Sequence, residues 1–272
     1  MIDIIIFSKD RACQLDLTIR SIIENMFIDY TISIIYTSSN KFYYDGYQFI
    51  KTLYPNINFI EQGIFKNDLV HVVSNIQKYY LALADDTIFI EKIVYDNIFK
   101  TFETNKEVMT INTRIGKSVL YNYLRPNEPI IKSPIFNNDN TYDWRLILNP
   151  YWNHPMTSCG HICRVEDIKS FIQNSIFENP NSLEGNLIEL AKHKRLNICY
   201  DRIKVIELCV NLVNTTNRAN VHGIDIENST EELNKKWLDG YRINPDILDY
   251  NVLYQYQKIP NIKFKYEKIN SY

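Results

Sequence analysis

Residues Tyr79–Ile90, YYLALADDTIFI, decide how the chain is read. An apolar run ends in two adjacent carboxylates, Asp85 and Asp86, and resumes with Ile88, Phe89 and Ile90. A strand buried on both faces has this continuous apolar character. Two acids at its end must face water, pair with a cation or hold a metal. Open α/β sheets bind ligands outside the carboxyl ends of their strands. Hard oxygen donors suit Mg2+ or Mn2+, ions that complete their shells with substrate phosphates and water. The pair therefore reads as a metal–diphosphate site, with a solvated turn or helix cap as the alternative, since Asp-Asp serves both.

Upstream of this stretch, strand and helix patterns alternate. Residues 2–7, IDIIIF, have the pattern of a buried strand, and Ser8, Lys9, Asp10 and Arg11 form a polar turn after it. Residues 12–26 place Leu15, Ile19, Ile22, Ile23 and Met26 at near-helical spacing, with Ser8 or Asp10 as the expected N-cap. A strand, a polar turn and a helix N-terminus make an anion site. Arg11 adds a charge matched to phosphate or carboxylate, or else a surface ion pair. Residues 31–36 are a second expected strand, with the polar loop Thr37, Ser38, Ser39 and Asn40 at its end. A helix over 43–53, a strand over 57–61 and a helix over 67–78 complete a β-α-β-α-β-α-β series. That series predicts an α/β fold with a mainly parallel sheet, helices on both faces and right-handed crossovers.

Downstream, the patterns predict a helix over 91–104 and a strand over 108–112. Residues 113–150 are irregular and hold Pro126, Pro129, Pro134 and Pro150 together with Tyr121, Tyr123, Arg125, Trp144 and Arg145. A stretch of that length without periodicity is functional or mobile. Helices follow over 165–173 and 183–193, and residues 197–209 hold one or two strands. The polar tail carries a helix over 229–239, where Ser229 and Glu232 match a capping box. These boundaries divide the chain into a main domain, 1–215, and a C-terminal helical and irregular extension, 216–272, packed on it.

Composition narrows the function classes. A net charge of −2 offers no basic field for nucleic acid. Only 7 glycines occur in the 272 residues, and none lies in a GxxxxGK loop. The five cysteines are odd in number and scattered, as expected of reduced thiols in the cytoplasm. Cys159 and Cys163 flank His161, but no second matching pair completes a zinc motif. The N-terminus lacks the basic and apolar regions of a signal peptide, and no apolar run reaches the length of a membrane span.

The start IIIFSKDRACQL, the polar end of the second strand and the acid pair ending the fourth together resemble the GT-A (Rossmann-like) glycosyltransferases, family 2-like members especially. The resemblance covers residues 1 to about 210. It implies transfer of a sugar from a nucleotide-diphosphate sugar, UDP-sugar favoured, to a glycan or other hydroxyl acceptor with Mn2+ or Mg2+, by an inverting route. Asp86 matches the metal-binding acid of the Asp-x-Asp motif and Asp85 its middle position, while Ala84 departs at the first acid. Ser8, Lys9 and Arg11 match the loop along the nucleotide, Thr37 and Ser38 the base or ribose side, and Lys66 the helix start before the metal strand. SCGHICRVEDI resembles the turn near the acceptor, which places Trp152 and His161 there. Glu184 matches the catalytic carboxylate that acts as general base, with Gly185 where a second acid is usual. His222 is the candidate C-terminal metal ligand. A sugar-phosphate nucleotidyltransferase is the rival enzyme, although SKDRACQ lacks the glycines of its basic loop. A non-catalytic nucleotide-sugar-binding module is the other rival.

Overall fold

The computed structural model describes residues 1–119, 133–147, 152–213, 222–245, 257–258 and 263–269. Tyr121, Tyr123 and Arg125 lie outside the described residues. In chain order the elements are β1 (Ile2–Lys9), α1 (Ala12–Asn25), β2 (Tyr30–Thr37), α2 (Lys41–Leu53), β3 (Asn58–Glu61), α3 (Phe65–Asn75), β4 (Tyr79–Ala84), β5 (Thr87–Phe89), α4 (Asn97–Thr104), β6 (Val108–Gly116) and β7 (Thr141–Asp143). They continue with β8 (His161–Arg164), α5 (Val165–Asn174), α6 (Pro180–Ala191), β9 (Leu196–Tyr200), β10 (Val205–Leu208), α7 (Thr230–Leu238), β11 (Tyr241–Ile243), β12 (Gln257–Lys258) and β13 (Tyr266–Lys268).

Among the described residues, eight strands form one sheet in the order β3-β2-β1-β4-β8-β6-β9-β7. The β3-β2-β1-β4 half is parallel throughout. β8 runs antiparallel to β4 and β6, β9 returns parallel to β6, and β7 is an antiparallel edge. The fold is thus α/β with a mostly parallel central sheet. Side-chain alternation builds the layers. On β1, Ile2, Ile4 and Ile6 enter a core with Leu15, Ile19 and Ile22 of α1, whereas Ile5 and Phe7 enter a second core with Leu69 and Val73 of α3. On β4, Tyr79, Leu81 and Leu83 join the first core, and Tyr80 and Ala82 the second. Each central strand is apolar on both faces because each face is covered by helices.

Several boundaries differ from expectation for local reasons. The helix expected over 67–78 starts earlier, at Phe65, and stops at Asn75, because Ile76 turns to extended backbone ahead of β4. Residues 91–96 stay non-helical, and α4 begins only where the Asp96 carboxylate caps the N–H groups of Ile98 and Phe99. α6 opens at Pro180 behind an Asn179 cap, so Glu184 falls in its second turn. β6 runs on to Gly116, past the expected end at 112. Neither Ser8 nor Asp10 caps α1, whose N-cap residue is Arg11, without a side-chain bond. Both side chains have other partners: Ser8 bonds Asp85 at 2.9 Å, and Asp10 bonds the Ser39 N–H at 2.7 Å and hydroxyl at 2.6 Å. Asp10 adopts φ +56° to do so, a conformation that Asp tolerates better than most residues. On α7, Ser229 accepts from the Glu232 N–H at 3.3 Å, which is one half of the capping box.

The tail meets the main sheet layer through α7, which packs on α1 and α2. Trp237 is fully buried, donates from Nε1 to the Gly46 carbonyl at 3.0 Å, and sets its ring 5.0 Å from that of Phe49. Trp237→Ala is expected to lower unfolding free energy by about 3–5 kcal/mol, measured by urea denaturation; a change within 0.5 kcal/mol, on the order of a surface substitution, would show that α7 is only loosely attached.

Candidate functional site

The central apolar stretch divides at the acid pair. β4 ends at Ala84 in the eight-stranded sheet, and β5 begins at Thr87 in a separate small sheet with β10 and β12. Asp85 and Asp86 are the turn between the two sheets, and both are buried. They lie beside the end of β1, where Phe7 registers with Ala84, and β1 in turn registers Lys9 with Thr37 of β2. The parallel strands thus deliver Ser8, Lys9, Arg11, Thr37, Asp85 and Asp86 to one edge of the sheet.

Arg11 organises this edge. Its Nη1 donates to Asp85 Oδ1 and to Asp86 Oδ2, each at 2.9 Å. Its Nε donates to Asn211 Oδ1 at 2.8 Å and its Nη2 to the Asn211 carbonyl at 2.6 Å. Asn211 is held by its own amide, which donates to the Asn228 carbonyl at 2.7 Å and to Gln14 Oε1 at 3.3 Å. The second Asp85 oxygen accepts from the Ser8 hydroxyl at 2.9 Å and the Lys9 N–H at 3.0 Å, and Tyr47 hydroxyl sits 2.6 Å from Ser8 Oγ. Asp85 is therefore saturated by protein donors. Asp86 gives only Oδ2 to Arg11. One guanidinium faces two carboxylates, which leaves the cluster one positive charge short. Burial drives the Asp86 carboxyl upward, Arg11 opposes this, Asp85 and Glu207 add to it, and the result is a carboxyl raised to about 7. Burial disfavours a guanidinium charge, but the two acids outweigh it and hold the Arg11 guanidinium above its ordinary range.

A second polar cluster adjoins the first through β8. Cys159 Sγ lies 3.0 Å from Thr87 Oγ1, next to Asp86, and the Gly160 N–H bonds the Ala82 carbonyl of β4 at 2.8 Å. Arg114 pairs with Glu207 at 3.0 Å and donates to Thr157 Oγ1 at 3.1 Å. Glu184 Oε2 accepts from the Ser158 N–H at 3.1 Å and hydroxyl at 3.0 Å, while its Oε1 lies 3.4 Å from His154 Nε2. Burial would raise the Glu184 carboxyl, but His154, Arg114 and the Ser158 N–H draw it down to about 2. His161 is buried, with Nδ1 2.9 Å from Thr157 Oγ1 and Nε2 lacking a hydrogen-bond partner. Burial and then Arg114 lower its pKa to about 3, so the ring is neutral.

The candidate residues are thus distributed unevenly. Ser8, Lys9, Arg11, Asp85 and Asp86 meet directly. Thr37 stands at the end of β2 and accepts the Asp10 N–H at 3.3 Å. Ser38 is only partly buried, and the neighbouring Ser39 makes the Asp10 contacts. Lys66 extends over the Phe177 ring at 5.9 Å. Trp152, expected on the acceptor side, is fully buried, edge-on to Tyr142 at 5.2 Å and to Phe136 at 5.6 Å, and offers no open face. His161 likewise has no open face to offer an acceptor. His222 follows the exit of β10, where the next residue, Gly223, bonds the Cys209 carbonyl at 2.7 Å. Among the described residues no three of His, Cys, Asp and Glu gather as a preformed metal cage. The donor set instead fits a cation held by Asp86 Oδ1 together with substrate phosphates and water, which is how Mg2+ is commonly bound. Asn211 escaped sequence reading because a lone Asn 200 positions from its partner has no local signature.

No family profile matches the chain. A curated relative, the bifunctional glycosyltransferase pgtA of Dictyostelium discoideum, is 24% identical over 212 residues, which are 68% of this chain and 28% of that protein. The chain therefore spans less than a third of that relative's length. Solved structures with partial likeness include S. aureus TarS 1-349, with a TM-score of 0.49, 13% identity and coverage of 75% of this chain and 59% of that one. The same protein in complex with UDP gives 0.49, 12%, 75% and 59%. The mannosyltransferase PcManGT of Pyrobaculum calidifontis, in complex with GDP-Man and Mn2+, gives 0.40, 7%, 73% and 53%. The resemblance read from the sequence thus meets a curated glycosyltransferase.

Removing one partner of a buried ion pair strands the other. Arg11→Met is accordingly expected to lower unfolding free energy by about 3–5 kcal/mol, measured by urea denaturation at pH 7, with most of the loss recovered in Arg11→Met combined with Asp85→Asn and Asp86→Asn. For Glu184 the folded-state pKa is below the unfolded one, so its stabilisation is present above the ordinary carboxylate range and is lost as pH falls. Glu184→Gln should be less stable than the parent at pH 7, with the gap closing between about pH 4.5 and the lowered value of about 2; a pH-independent gap in denaturation midpoints would contradict this.

Proposed function

We propose that this chain is a glycosyltransferase that moves a sugar from a nucleotide-diphosphate sugar, UDP-sugar favoured, to an acceptor hydroxyl. The observation that carries this reading is the buried acid pair at the carboxyl end of parallel β4, flanked by the polar loops after β1 and β2. That edge is where α/β sheets bind nucleotides, and the curated relative is itself a glycosyltransferase. The five free cysteines suit the cytoplasmic setting we propose, and no helix among the described residues is long and apolar enough to cross a membrane.

The residues divide the work as follows. The loop of Ser8, Lys9 and Arg11 lies along the nucleotide, and Thr37 and Ser38 line the base or ribose side. Asp86 would hold Mn2+ or Mg2+, with His222 as a further ligand. The cation, once bound, neutralises charge on the departing nucleotide diphosphate. Asp85 fixes Arg11 and Lys9 N–H, and Arg11 supplies a positive charge beside the same phosphates. Inversion at the anomeric carbon needs a group to take the acceptor's proton, and the Glu184 cluster is the one proposed to supply it.

A thermal-shift screen of UDP-, GDP-, CMP- and dTDP-sugars, each with Mn2+ and with EDTA, tests the reading. One nucleotide class should raise the melting temperature only with metal, equivalent to about 2.7 kcal/mol at a hundredfold excess over Kd, and Asp86→Ala should abolish the shift. Binding unaffected by EDTA would remove the metal from the scheme, and no shift with any donor would sink the transferase itself.

A further inference from the structure

The Glu184 carboxylate is a poor proton acceptor in this fold. Two donors bond it, the Ser158 N–H and hydroxyl on Oε2, and His154 Nε2 lies 3.4 Å from Oε1. Groups so stabilised as anions gain little by taking up a proton. The arrangement is that of an orienting acid behind a base, the logic by which a carboxylate fixes a histidine tautomer. A neutral imidazole has one N–H and one lone pair. In the tautomer that turns Nε2–H toward Glu184, the lone pair stands on Nδ1. His154 and Glu184 are similarly open, with 36% and 33% of their side chains exposed, whereas His161 is buried. The titratable neighbours of His154 are Glu184 from α6 and His161 from β8, and Arg114 from β6 acts on both of these.

The pair is also on the correct side of the nucleotide edge. Ser158, which clamps Glu184, is followed by Cys159 against Thr87 and by Gly160 bonded to β4. Thr87 is the residue after Asp86 and registers with Glu207, which Arg114 pairs. The order across the site is therefore Arg11, the acid pair, Thr87 with Cys159, and then Ser158, Glu184 and His154.

We propose that His154 is the general base of this chain and that Glu184 is its positioning residue. The inference rests on the transferase reading above. The acceptor hydroxyl gives its proton to His154 Nδ1 as its oxygen bonds the anomeric carbon. The bond from that carbon to the phosphate oxygen breaks, and its electron pair leaves with the nucleotide diphosphate. Glu184 stabilises the imidazolium and keeps its own charge throughout.

The test uses the donor found by the thermal-shift screen, with nucleotide release to water as the readout. His154→Ala and His154→Gln should keep the donor-induced shift and the donor KM, and lose about 10²–10⁴-fold in kcat. Added imidazole should restore turnover to His154→Ala and not to His154→Gln, whose side chain fills the space. Glu184→Gln should lose kcat without imidazole rescue. Undiminished turnover in His154→Ala, or a loss that imidazole leaves untouched, would overturn the assignment. Failure of every donor to bind the parent protein would remove the transferase reading first and this assignment with it, whereas donor binding with normal turnover in both His154 variants removes this assignment alone.

Discussion

The structure depends on one guanidinium shared by two carboxylates. Arg11 reaches the acid pair from the loop after β1, and the same group is anchored on its far side by Asn211. Without it the turn joining the two sheets would bury two adjacent anions, an arrangement whose desolvation is costly. With it the charge is only partly balanced. Burial is the main cause that raises the Asp86 carboxyl, with Asp85 and Glu207 adding to it against Arg11. Both Asp85 oxygens are engaged by protein donors, whereas Asp86 gives one oxygen to Arg11.

Around this cluster the architecture is a consequence of strand alternation. Because β1 and β4 send apolar side chains to both faces, they must be central, and their carboxyl ends must meet. The antiparallel insertion of β8 beside β4 then brings the Thr157–His161 segment against the acid pair's strand. Two polar clusters, one cationic-anionic at the carboxyl ends of the parallel strands and one built on Glu184, end up sharing a boundary at Thr87 and Cys159. Arg114 and Glu207 span that boundary as an ion pair.

Much of the first half was legible in the sequence. The strand and helix series up to β4 has strong periodicity, and its apolar runs leave few alternative pairings. The clustered residues Ser8, Arg11, Asp85 and Asp86 were legible because they sit at the ends of those runs. The remainder depended on long-range contacts. Trp152 was expected on the acceptor side because aromatics on irregular segments look alike whether buried or open, and only its packing against Tyr142 and Phe136 distinguishes it. Asn211 and His154 have no motif at all, and their significance comes from partners distant in the chain. The α1 cap was misplaced for the opposite reason: Ser8 and Asp10 have the right chemistry for a cap, yet tertiary partners offered them better bonds.

The separation between Arg11 and Asn211, 200 positions along the chain, has a consequence for how the protein is made. Domains emerge from the ribosome N-terminus first, at ~5–20 residues per second. The β1 to β4 layer is complete in sequence by Ala84, but the clamp on Arg11 is not synthesised until Asn211 appears. For ~6–25 seconds at those rates, the nascent sheet holds its acid pair with a guanidinium anchored on one side only. The site is therefore the last part of the layer to become rigid, and the nascent chain passes through a stage in which its scaffold precedes its chemistry.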